Sequence, residues 1–369
     1  MASSTPLSKA NTTFSLALLR KLSEDNNAAN IFFSPFSVSS ALAMVMLGAR
    51  GNTATQMLEC LKTQDCQDEV HTQFAKLLSE LNKPEAPFAL SVANRLYGEQ
   101  SYQFLQEYLS EIRKHYNSEL EPVDFTKHDE AIFKINSWVE KETQGKIKDI
   151  VAEGDLNNRT RMVLVNAIYF KGFWMYPFMR FFTHDAEFRL NKRDKKTVKM
   201  MKCETYFPMA FIIEVSCQIL ELPYKGNELS MLIFLPKEIE DDTTGLEKLE
   251  KHLTYDKFMN WTHTDKMEWH KIEFNILTSM GMVDAFDESK CDFSGMSSIK
   301  ELFLSKVSHK AFVEVNEEGT EAAAATSCFV EELCYVPLQY FSADHPFLFF
   351  IRHNPTMSVL FAGRFCSPQ

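Results

Sequence analysis

Apolar and polar positions change their rhythm along this chain. In the first half apolar residues recur at helical spacing. Phe14, Leu18 and Leu22 return every fourth position, which predicts an amphipathic helix near the N-terminus. "SPFSVSSALAMVMLGARGNT" predicts an apolar helix with a Ser-Pro start at Ser34–Pro35 and glycines 48 and 51 to end it. Further helices are predicted near 53–62, 68–82, 104–115 and 128–144. Strand-like runs begin with "FALSVANRLYG" and "RMVLVNAIYFKG" and dominate the second half: "CQILELPY", "ELSMLIFLP", "LSKVSHKAFVEV", "PFLFFIRH" and "SVLFAGRF". Helices near 244–261 and 275–286 interrupt them. Helices first and strands later, without regular alternation, predict an α+β fold with mostly antiparallel or mixed sheets. No Pro/Gly/Ser-rich linker or repeat marks a boundary, so residues 1–369 are expected to form a single domain.

One stretch breaks the rhythm. "EEGTEAAAATSCFVEELCYVP", Glu317 to Pro337, lies between two strand-like segments yet carries four consecutive alanines. One reading is a fixed surface helix, since alanine is the best helix former. The other follows from strand alternation. Extended, the run sets Thr320, Ala322, Ala324 and Thr326 on one side and Glu321, Ala323, Ala325 and Ser327 on the other. The first face is small and uncharged, suited to a packed layer, and Gly319 takes backbone angles a hinge needs. A segment that lies outside a sheet and enters it later satisfies both properties.

Composition narrows the function. The chain is 45% apolar and 24% charged, with a net charge of −11 that argues against nucleic-acid or anionic-membrane binding. The one dense basic stretch, Arg189 to Lys199, is expected to be a solvated hairpin. No apolar run reaches the ~20 residues of a membrane span. The N-terminal helix lacks the basic flank and cleavage site of a signal peptide. The eight cysteines have no metal-type spacing and are expected to be reduced. A cytoplasmic location is therefore expected, with release without a signal peptide as the alternative, and the sequons at Asn11, Asn158 and Asn260 are expected to be silent. No nucleophile elbow, phosphate loop, His-Glu-x-x-His or dinucleotide fingerprint is present. The acid–histidine neighbours in "EWHK" and "ADHP" are expected to be structural. No enzyme, cofactor or metal is expected.

"VNEEGTEAAAAT" resembles the hinge of the reactive-centre loop of serpins, and the likeness runs through nearly the whole chain. "NIFFSPFSVSSALAMVMLGARGNT" resembles their second helix, "VLVNAIYFKGFW" their third central strand, and "LSKVSHKAFVEVNEEGTEA" the strand feeding the loop. "ADHPFLFFIRHNPTMSVLFAGRFCSP" resembles the C-terminal strands. The short N-terminus and Ser-Pro tail look like the intracellular, ovalbumin-type (clade B) branch.

The resemblance implies helices around three β-sheets and a loop exposed as protease bait over 317–341. It implies a suicide mechanism: a serine protease forms an acyl-enzyme, and the freed loop enters the large sheet as a new strand. About fifteen residues at ~3.3 Å each carry the protease on the order of 50 Å. The implied hinge is Glu317, Glu318, Gly319, Thr320, Glu321, Ala322, Ala323, Ala324, Ala325 and Thr326. The family's spacing puts the scissile bond at Leu333–Cys334. A leucine there implies chymotrypsin-like targets (chymase or cathepsin G types), then elastase-like ones, with papain-like cysteine proteases as a variant and trypsin-like enzymes disfavoured. Ser34, Ser37, Asn166 and His309 map to the family's shutter, and Trp174 to the breach where the loop first enters. A monomer is expected. One departure stands out: "WTHTDKMEWHK" passes straight to "IEFNILTSMGM", so about a dozen residues of a usual strand region are missing near 271–275. That loss keeps open an alternative, a non-inhibitory or substrate-like serpin acting as a binding or chaperone-like protein.

Overall fold

The structure, a computed structural model, describes residues 4–25, 28–83, 86–277, 306–314, 317 and 337–368. Among them the helices are α1 (Pro6–Asp25), α2 (Pro35–Met46), α3 (Gly51–Cys60), α4 (Val70–Leu81), α5 (Gln106–Tyr116), α6 (His128–Glu142), α7 (Glu247–His252) and α8 (Tyr255–Trp261). The strands are β1 (Ile31–Phe33), β2 (Phe88–Glu99), β3 (Leu120–Val123), β4 (Met162–Gly172), β5 (His184–Arg189), β6 (Lys195–Ile212) and β7 (Cys217–Pro223). They continue with β8 (Leu229–Pro236), β9 (Glu268–Leu277), β10 (Lys306–Glu314), β11 (Gln339–Ser342), β12 (Phe347–His353) and β13 (Ser358–Phe365).

Two hydrogen-bonded sheets result. One runs β1-β13-β12-β8-β7-β6-β9-β11 with β5 beside β6; the other runs β10-β4-β2-β3. The expected three sheets appear as two networks because β6 is long enough to serve both halves of the larger one. Its first part pairs β5 and β9, and its last part pairs β7. The basic stretch 189–199 spans the turn of the β5–β6 hairpin, as its composition predicted.

Strand β4 explains the layering. Its side chains are buried at every position except Lys171, the near-continuous apolar reading of a strand covered on both faces. Leu164, Ile168 and Phe170 point into the main core with α2, while Val163, Val165 and Ala167 pack under Ile135 and Val139 of α6. Helix α2 is apolar almost all round and buried at 11 of its 12 positions, as a helix inside a core must be.

Residues 275–277, predicted to open a helix, close β9 instead. Ile272, Phe274 and Ile276 are buried while Lys271, Glu273 and Asn275 are more exposed, a period of two that overrides any helical reading. The rest of that helix, 278–286, lies outside the described residues. Residues 268–277 thus run as one strand at the place where a further strand region is missing from the sequence, and among the described residues β10 has β4 as its only strand neighbour.

Candidate functional site: a polar row beneath the loop-bearing strand

The strand that feeds the unusual loop, β10, lies parallel to β4 with nine residues in register, from Lys306↔Val163 to Glu314↔Lys171. Near the middle of that register His309 faces Asn166, and Asn166 faces Asn94 on β2. Three polar side chains therefore form one row across an otherwise apolar sheet, and the first turn of α2 sits over it.

Local sequence fixes that turn. Ser34 is the N-cap: its Oγ accepts from the Ser37 backbone N–H at 3.1 Å, and Pro35 follows at the first helical position. The same Oγ donates to the Leu360 carbonyl of β13 at 2.6 Å, tying α2 to the larger sheet. Asn166 Nδ2 reaches Ser37 at its carbonyl (3.0 Å) and its hydroxyl (2.6 Å), and also Asn94 Oδ1. Asn94 Nδ2 donates to Ser40 Oγ at 3.0 Å, which in turn donates to the Ser37 carbonyl at 2.9 Å. Ser34, Ser37, Ser40 and Asn166 are fully buried, so each of these bonds satisfies a group that water cannot reach.

His309 closes the row. The Ser34 backbone N–H donates to its Nε2 at 3.2 Å, so that nitrogen is an acceptor and the ring is neutral, with Nδ1–H donating to Asn166 Oδ1. Part of the residue stays accessible at the sheet edge. The ring itself is enclosed, and that desolvation lowers its pKa to about 3.

All four residues assigned from the resemblance, Ser34, Ser37, Asn166 and His309, thus meet in one hydrogen-bonded row. Sequence reasoning missed Asn94 and Ser40. Asn94 carried a signal: it is an amide in the middle of a strand-like run, as Asn166 is.

Trp174 lies just beyond the end of β4, at the end of the sheet where β10 finishes and the loop departs. Its ring stacks on Tyr224 with centroids 4.5 Å apart and meets Phe178 edge-on at 6.3 Å. The approach is close because β4 ends in Gly172, where a Cβ would come within 2.5 Å of the Tyr224 ring. Beyond β10, the Glu317 carboxylate accepts from Thr183 Oγ1 at 2.8 Å. Glu318, Gly319, Thr320, Glu321, Ala322, Ala323, Ala324, Ala325 and Thr326 lie outside the described residues, as do Leu333 and Cys334. The chain re-enters at Pro337 and pairs as β11, parallel to β9.

The histidine of "ADHP" is structural, as expected: His345 lies between Asp344 Oδ1 and the Pro236 carbonyl, each 2.6 Å away. Among the described residues no group of three or more His, Cys, Asp or Glu side chains is arranged to hold a metal ion.

Comparison with known proteins adds a consistent picture. A family model described as "Serpin (serine protease inhibitor)" matches residues 9–368. The chain is 49% identical to the leukocyte elastase inhibitor of Homo sapiens, covering 98% of this chain and 99% of that one. It is 48% identical to the Equus caballus protein of the same name, with the same coverage. These alignments run over 377 residues against 369 in this chain, so the relatives carry residues with no counterpart here. Among solved structures, uncleaved ovalbumin is similar with a TM-score of 0.86 at 35% identity, covering 99% of this chain and 100% of that one. Maspin gives 0.85 at 34% identity, covering 98% of each chain.

Proposed function

The chain belongs to the serpin family, and from that premise we propose that it is a suicide-substrate inhibitor of chymotrypsin-like and elastase-like serine proteases. The relatives named as elastase inhibitors support the coarser half of this reading. The finer half rests on one observation: the parallel β4–β10 pair with the loop attached to the end of β10.

The geometry suits strand insertion. A segment that follows β10 and turns back runs antiparallel to β10, and therefore antiparallel to β4 as well. Entering between them replaces one parallel interface with two antiparallel ones, the slightly more stable pairing per residue. The polar row holds the gap shut beforehand, because separating β10 from β4 breaks the His309–Asn166 bond.

The chemistry follows from the protease's own nucleophile. Its serine Oγ attacks the Leu333 carbonyl, the Leu333–Cys334 bond breaks, and the Cys334 nitrogen leaves with a proton. Leu333 stays bound to the enzyme as an ester. The new end at Leu333 is no longer anchored at Pro337, and the small residues from Thr320 to Thr326 enter the sheet. If insertion outruns hydrolysis of the ester, the protease is carried away from its docking position and held. Trp174, stacked at the end of β4, lies where the first inserted residues pass. A cytoplasmic location is part of the same proposal.

A second reading has one observation in its favour. Among the described residues β4 is the only strand neighbour of β10, and a β10 paired there alone would hold an inserted strand weakly, so that the ester is hydrolysed before the protease is trapped. Incubation with chymotrypsin followed by a denaturing gel separates the two. A detergent-stable complex, with a released peptide beginning at Cys334, supports the inhibitor. Complete cleavage without a complex supports the substrate-like form.

A further inference from the structure

Helices α4 and α5 pack side by side, and two histidines meet at their seam. His71 lies in the first turn of α4 and His115 in the last turn of α5, with ring centroids 6.1 Å apart. Each imidazole has one nitrogen engaged. His71 Nδ1 is 2.5 Å from the hydroxyl of Tyr116, a buried residue whose ring meets Phe74. His115 Nε2–H donates to the Glu111 carboxylate, one helical turn back, at 3.0 Å. Lys114 also donates to that carboxylate.

The other nitrogen of each ring sets this pair apart. Because Nε2 carries the proton facing a carboxylate, His115 Nδ1 presents a lone pair, and it is buried without a hydrogen-bond partner among the described residues. A buried acceptor without a donor is unfavourable, and ligation to a cation satisfies it. With Nδ1–H donating to the tyrosine oxygen, His71 Nε2 keeps a lone pair as well. Burial lowers the His71 pKa to about 4, so at neutral pH the ring has the uncharged form that metal ligation needs.

The spacing fits a shared ion. Two imidazoles on one zinc, at ~2.1 Å per Zn–N bond, have centroids roughly 5–6.5 Å apart. The observed 6.1 Å falls inside that range. The Glu111–His115 contact has the form of an outer carboxylate that holds a ligating histidine in one tautomer. Two side chains are fewer than a full zinc site supplies, so water completes the coordination and the affinity is moderate. Imidazole selects zinc, copper or nickel over calcium and magnesium, which take oxygen donors.

We propose that His71 and His115 together bind a transition-metal dication such as zinc, stapling the start of α4 to the end of α5, with Glu111 as the positioning residue for His115. The site is independent of the inhibitor reading. A metal that binds the folded state alone stabilises it, so stability rises with zinc concentration.

Calorimetric titration of the full-length protein with zinc chloride is the test. The unaltered protein should bind saturably below ~1 mM zinc. His71→Gln and His115→Gln should each weaken that binding at least about 10-fold, and Glu111→Gln about 10-fold. His263→Gln alters an exposed histidine beside Asp265 and should change nothing. With zinc at ten times its Kd, the unfolding midpoint should rise by about 2 °C in the unaltered protein and by clearly less in either seam variant. Midpoints without metal show that each variant folds. Unchanged affinity in either seam variant overturns the shared site, as does an equal loss in His263→Gln or the absence of saturable binding. Glu111 is partly exposed, so its substitution leaves the fold intact. If a seam variant does not fold, Glu111→Gln decides alone, and affinity within twofold of the unaltered protein overturns the proposal.

Discussion

The polar row makes a prediction about two states of one molecule. His309→Leu keeps a side chain of similar bulk but removes both bonds that join β10 to its surroundings through the ring. One is the bond from the Ser34 N–H at 3.2 Å; the other is the bond to Asn166 Oδ1. Ser34 and Asn166 are fully buried, so each is left with an unsatisfied group. At ~1–3 kcal/mol per buried orphan, the intact protein should lose about 2–6 kcal/mol. After loop insertion β10 no longer adjoins β4, so the His309–Asn166 bond is already gone in the unaltered protein. The cleaved form of His309→Leu should therefore lose clearly less. Denaturant unfolding of intact protein, and of protein nicked in the loop, measures both quantities. Equal losses in the two forms would show that the row does not act as a latch between β4 and β10. A loss under ~0.5 kcal/mol in the intact form would show that the bonds carry no net stability.

Other outcomes follow from the same structure. Burial lowers the pKa of His309 to about 3 from its ordinary 6.5, so its neutral form stabilises the fold above pH 6.5 and that contribution fades as pH falls towards 3, by ~1.4 kcal/mol per unit. His71 and His353, both lowered to about 4, act in the same direction. Unfolding free energy followed from pH 7 to pH 4 should show a shallower acid slope in His309→Leu; an unchanged slope would contradict the neutral-ring assignment. Thr320→Arg places a charge in the hinge where insertion must bury it, and should turn trapping into simple turnover on a denaturing gel, whereas full trapping would refute insertion through the hinge. Leu333→Arg should shift reactivity towards trypsin-like proteases, whose pocket carboxylate then gains a partner; unchanged selectivity would mean the scissile bond lies elsewhere.

Much of the fold was legible because single strands and helices announce themselves. β4 reads as an apolar run, α2 as a Ser-Pro start followed by apolar turns, and α6 as a helix within two residues of its predicted end. The length of β6 was missed: its first five residues, Lys195–Lys199, read only as part of a basic hairpin, and the rest depends on pairing with distant β9. β9 was not among the predicted strands, and a following helix-like sequence pulled its last residues, 275–277, into a helix. The polar row was legible only through family likeness: nothing local in "SPFSV" or "SHKAF" says that these segments meet. Asn94 became visible only through its register with Asn166.

The central claim is that the loop enters between β4 and β10, and locking those strands together tests it most directly. Ala311 on β10 and Ile168 on β4 are register partners, and neighbouring strands ~4.8 Å apart hold such pairs within disulfide reach. Ala311→Cys with Ile168→Cys, oxidised, should be cleaved at Leu333–Cys334 by chymotrypsin yet form no detergent-stable complex. Reduction should restore trapping in the same sample. An oxidised protein that still traps the protease would contradict insertion between these strands.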